Sequence, residues 1–144
     1  MKHYRQTKNQ CFPASMCMAF GLSYWKERKG FKWTQKNHRE WLARLPIPDT
    51  AKRSISRQMS IAGSWINSVC PLDKLRIQWH KQGILIVRRD RTCHAIAFSQ
   101  GCVHDPNKYG SIPFLTYFLL NNWDIRTVYY VNVLSLGQQN GAIT

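Results

Sequence analysis

Apolar residues recur at helical spacing through the first half of the chain and change to alternation in the second. Phe12, Met16, Ala19 and Phe20 predict a helix over 12–24, with Pro13 tolerated in its first turn and Gly21 weakening or ending it. Residues 26–30 read as a solvated basic turn. Trp33 to Leu45 reads as a second helix, with Thr34 a candidate cap and Trp41, Leu42 and Leu45 on one face. Pro46-Ile47-Pro48-Asp49 stops it, and 50–56 reads as a loop. Met59, Ala62, Ile66 and Val69 place a third helix over Ser56 to Val69. Leu75 to Trp79 then alternates like a strand, and Ile84 to Val87 is a short continuous apolar run typical of a buried one. Cys93 to Phe98 and Gly101 to Asp105 predict two strands joined by Ser99-Gln100. A short helix over 113–122 and a strand from Thr127 to Val133 follow. Helices first and strands afterwards predict an α+β chain, with N-terminal helices packed on a mostly antiparallel sheet. The expected layout is one domain over 1–136 and a flexible tail over 137–144.

Composition narrows the function classes. Hydrophobic residues make up 44% of 144, enough for a core of some size. No apolar stretch approaches the roughly 20 residues of a membrane span. The first residues, Met1 to Gln6, lack an apolar signal segment, so a cytoplasmic protein is expected. The five cysteines are odd in number and show no disulfide framework, which also suits a reducing compartment. Twenty-one basic residues against seven acidic ones give a net charge of +14. That predicts an acidic partner: a protein or peptide segment first, nucleic acid as the second class.

The chemistry rests on three residues. Cys11 opens the first helix, where the partial positive charge of a helix start favours a thiolate. His94 opens an apolar strand, and Asp105 ends the next one. An imidazole can take the thiol's proton, and a carboxylate can hold that imidazole in the right tautomer. If Ser99-Gln100 is a two-residue hairpin loop, Phe98 faces Gly101 and His94 faces Asp105, about 5 Å apart. His104 falls on the other face of the sheet and Asn107 is the alternative third member. An oxyanion hole needs donors, which the Cys11 backbone N–H and the amide of Gln6, or of Gln10, would supply. Cys93, His94, Cys102, His104 and Asp105 include zinc-ligand types. In this register, however, Cys93 and Cys102 are roughly 13 Å apart along the strands, too far for one tetrahedral ion. No metal or cofactor is expected.

Gln6, Cys11, His94-Ala95-Ile96-Ala97 and Asp105-Pro106 together resemble papain-like cysteine peptidases. The pattern is most similar to the peptidases that remove leader peptides in bacteriocin exporters, and to compact relatives in bacteria and phages. It departs from them at Phe12, where leader peptidases carry Gly, and in its short spacing from His94 to Asp105. The resemblance implies a papain-like fold and a cysteine hydrolase acting on an amide bond of a protein, with a phage-encoded enzyme directed at a host protein as one form of that expectation. In it Cys11 is nucleophile, His94 base, Asp105 orienting group and Gln6 an oxyanion donor. The competing expectation is a non-catalytic binder of the same fold that holds an acidic protein or nucleic acid through its basic surface.

Overall fold

A computed structural model describes residues 1–6, 10–28, 34, 38–53, 55–56 and 71–131. The architecture is α+β. Helices α1 (Cys11–Phe20), α2 (Tyr24–Arg28) and α3 (His38–Arg44) come first. Strands β1 (Gln82–Arg89), β2 (Thr92–Ser99), β3 (Cys102–His104), β4 (Ser111–Pro113) and β5 (Asp124–Tyr130) follow, with helix α4 (Phe114–Leu120) between the last two. The strands form one antiparallel sheet in the order β4-β3-β2-β1-β5. Among the described residues no helix is long and apolar enough to cross a membrane.

Strand alternation divides the core into two layers. Ile84, Ala95, Ala97 and Val131 pack against α1, Trp41, Leu42, Leu45 and Ile55 on one face. Leu85, Val87, Ile96, Phe98 and Val103 pack with Trp79, Tyr117 and Ile125 on the other. Each large side chain removed from water stabilises the fold by about 1.5–3 kcal/mol before cavity and entropy terms.

Helix α1 differs from its expected form. The spacing predicts one buried face, yet every residue from Phe12 to Phe20 is buried, because sheet, α2 and the N-terminal segment surround it. Ser15, its one polar side chain inside that run, donates its hydroxyl to Ala95 O at 3.0 Å and so ties α1 to β2. The helix stops at Gly21, which takes φ 70°, and Leu22 N–H returns to Cys17 O at 2.8 Å. That left-handed cap suits glycine because it has no Cβ to clash. The end therefore falls short of residue 24, and α2 occupies part of the expected basic turn.

Leu75 to Trp79 is not a strand: Lys74–Arg76 is a 3-10 turn whose Leu75 N–H is capped by Asp73 Oδ1 at 2.9 Å. Ile77 and Trp79 are both buried, so the alternation is of burial alone. The expected loop over 50–56 is helical at 49–53, where Lys52 N–H bonds Pro48 O at 3.1 Å; the prolines end one helix and begin another. Strand β5 starts at Asp124, earlier than expected. The third helix proposed over Ser56 to Val69 and the tail over 137–144 lie almost wholly outside the described residues.

Candidate active site

The β2–β3 hairpin turns on Gln100 and Gly101, both at positive φ (52° and 79°), with Ser99 opposite Cys102 and Ala97 opposite His104. Two successive positive φ values define the hairpin turn that matches strand twist. The expected loop was Ser99-Gln100, so the true register is displaced by two positions. An even displacement preserves the face of every side chain. Asp105 therefore stays on the face of His94, as its diagonal rather than direct neighbour.

On the β3 side, β2 is paired only over Ala97–Ser99. The chain leaves the sheet after His104, and the segment Asp105-Pro106-Asn107 lies alongside the unpaired edge of β2. His94 sits on that edge, 6% exposed, and its Nε2 is 2.7 Å from Asp105 Oδ1. Cys11, at the first position of α1, lies near enough to the His94 imidazole to raise its pKa. With Nε2 taken by Asp105, Nδ1 is the ring nitrogen left for the thiol. The structure thus brings Cys11, His94 and Asp105 into one chain of contacts.

Three donors converge on the Asp105 carboxylate. Oδ1 accepts from His94 and from the Asn107 N–H at 2.8 Å, an Asx turn; Oδ2 accepts from the Tyr117 hydroxyl at 2.6 Å. Burial works to raise the Asp105 pKa, but the His94 hydrogen bond and charge, with Tyr117 and Asn107, outweigh it and hold the carboxyl below the usual range. Burial likewise works to lower the His94 pKa, and is outweighed by the hydrogen bonds and charges of Asp105 and Cys11, which carry it up to about 9. The imidazole is thereby disposed to hold a proton. Trp123 covers it, stacked at 5.6 Å and 25°, and Arg89 lies 4.9 Å from the centre of that indole.

Gln6 reaches the same end of α1. Its Oε1 accepts the Gln10 N–H at 2.7 Å, and its Nε2 donates to Asn107 Oδ1. Gln10 is the residue before the helix and makes no side-chain cap, so Gln6 is the better placed of the two amides. One N–H of the Gln6 amide is used by Asn107; the other is available to a ligand oxygen. Contacts of Gln6 N–H with Pro106 O at 2.9 Å and of His3 Nε2 with Lys108 O at 2.7 Å lay the N-terminal segment along the Asp105 loop.

The remaining candidates stand elsewhere. His104 is buried on the α1 face beside His3, rings 5.6 Å apart, and burial, His3 and the N-terminal amine lower its pKa to about 4. Cys17 is fully buried, and burial pushes its thiol up to about 12. Cys93 is exposed, and Cys70 lies outside the described residues. Among the described residues no group of three or more His, Cys, Asp or Glu could hold a metal ion. Sequence reasoning missed Tyr117 and Trp123. A phenol on the largely apolar helix Phe-Leu-Thr-Tyr-Phe-Leu-Leu was the available signal for the first. No family model, curated protein or solved structure matches this chain.

Proposed function

We propose that this chain is a papain-like cysteine hydrolase that cleaves an amide bond in a protein segment. The observation that carries the reading is the relay from Cys11 through His94 to Asp105, with its 2.7 Å imidazole–carboxylate contact.

The Cys11 sulfur attacks the substrate carbonyl carbon while His94 holds the proton given up by the thiol. The tetrahedral oxygen accepts from the Cys11 backbone N–H, which has no intrahelical acceptor in the first turn, and from the second N–H of Gln6. Collapse breaks the C–N bond, and His94 delivers its proton to the departing amine. Water then attacks the thioester with His94 as base, releasing the acid and restoring the thiol. An amine in place of water would give transfer by the same steps. Asp105 keeps the imidazole oriented throughout and remains ionised.

Net charge +14 supports an acidic substrate segment, whose association would weaken with salt. The reading is tested with iodoacetamide near neutral pH, mapping each modified cysteine by mass spectrometry. Cys11 should react at least about tenfold faster than exposed Cys93, and lose that advantage in His94→Ala. Equal rates at the two thiols would sink the hydrolase and leave a binding protein.

A further inference from the structure

We propose that Tyr117 is a positioning residue of this site: its hydroxyl, donated to Asp105 Oδ2, keeps the other carboxylate oxygen aimed at His94. The inference rests on reading Cys11, His94 and Asp105 as a thiol site, and adds a member from an element that reading does not use.

Helix α4 has seven residues, and Tyr117 is the one it buries fully. Leu115, Leu119 and Leu120 on the same helix are 50%, 84% and 74% exposed. A short helix that leaves three leucines in water while burying a tyrosine is placed to deliver that tyrosine. Its ring meets that of Phe118 edge-on at 5.1 Å within the core cluster that also holds Val103 and Ile96, a volume phenylalanine would fill equally well. The hydroxyl therefore needs its own explanation, and the 2.6 Å bond to Asp105 supplies it.

A carboxylate can rotate about its Cβ–Cγ bond. Oδ1 already has two donors, His94 and the Asn107 N–H, whereas Tyr117 is the hydroxyl on Oδ2. With Asp105 only 4% exposed, loss of that donor would leave a charged oxygen poorly satisfied and free the group to turn. The titratable groups on this carboxylate are His94 from β2 and Tyr117 from α4; Cys11 from α1 acts on it through His94, and Trp123 adjoins the Tyr117 hydroxyl. Burial and the Asp105 charge raise the Tyr117 pKa, so the phenol keeps the proton it donates.

The experiment follows iodoacetamide modification of Cys11 from pH 4 to 9 in the full chain, Tyr117→Phe, Asp105→Asn and the double variant. Tyr117→Phe should slow Cys11 roughly tenfold at pH 6, the scale of one hydrogen bond to a charged group, and move the acid limb toward neutrality. In the Asp105→Asn background the same change should have no further effect, because its target is gone. A Tyr117→Phe profile that superimposes on the parent, or a further fall in the Asp105→Asn background, overturns the proposal. Should Tyr117→Phe fail to fold, the double variant must regain the parent circular dichroism spectrum, since only a charged carboxylate needs the phenol; failure to regain it overturns the proposal too. If Cys11 of the parent reacts no faster than Cys93, the hydrolase reading falls and this role with it. A fast Cys11 with an unmoved Tyr117→Phe profile removes Tyr117 alone.

Discussion

His94 and Asp105 meet at 2.7 Å on an edge of β2 that β3 leaves unpaired, with Trp123 stacked over the imidazole. The contact is buried, so its strength depends on both partners remaining charged, and pH becomes a direct probe of it.

Cys11→Ser should abolish amide cleavage or transfer and leave the fold unchanged, since Cys11 is a partly exposed first-turn residue. Oxygen is a far poorer nucleophile in a site arranged for a thiolate. Cleavage of a protein-derived peptide library, with circular dichroism as the fold control, measures both. Full activity in the serine variant would take Cys11 out of the mechanism.

Alkaline pH should destabilise the fold through His94. Its folded pKa of about 9 lies above the ordinary 6.5, so the folded chain holds that proton more tightly than the unfolded chain. The contribution is complete below about pH 6.5 and disappears as pH rises through about 9. Asp105 has the opposite sign: its depressed pKa stabilises above the ordinary carboxylate value of 3.8 and loses effect as pH falls. Melting temperature should therefore drop between pH 6.5 and 9.5, and Asp105→Asn should flatten that drop. A curve of the same slope in both proteins would show that the pair does not govern this range.

His104 should limit stability on the acid side. Its folded pKa of about 4 lies below 6.5, so its contribution is present above pH 6.5 and is lost as pH falls through about 4. His104→Leu removes the ionisable group from a buried position on the α1 face. Denaturant midpoints at pH 7 and 4.5 should differ less in this variant than in the parent. An unchanged difference would assign acid sensitivity to other groups.

Gly83→Ala should cost about 1–3 kcal/mol by overpacking, at the junction of β1 with both neighbours. A Cβ built there would collide with Tyr129 O and meet the Phe98 ring at 2.8 Å. The first is backbone of β5, which cannot swing aside as a side-chain tip can. Urea denaturation gives the loss, and a midpoint equal to the parent's would mean that β5 yields locally.

The α+β layout and the identities of Cys11, His94 and Asp105 were legible because apolar period separates helices from strands and polar residues stand out against it. The hairpin loop was not legible: Ser99-Gln100 and Gln100-Gly101 are both short polar pairs, and only the backbone shows Gln100 at positive φ. The face of Asp105 survived because the error was two residues rather than one. Trp79 misled because a residue can be buried every second position without joining a ladder; its indole N–H bonds Lys74 O at 2.7 Å in a local turn. Tyr117 was hidden by an apolar helix in which spacing alone cannot tell a packing ring from a donor.

The two cores give the site a mechanical property. Cys11 packs with the layer that contains α1, whereas His94 shares its face with Val87 and Ile96 on the other side of β2. Cys11 and His94 are thus carried by separate layers, joined across one strand edge. Any sliding of α1 against the sheet changes their separation before either core comes apart. The reactivity of this thiol is consequently a gauge of layer alignment, sensitive to small shear that leaves secondary structure intact.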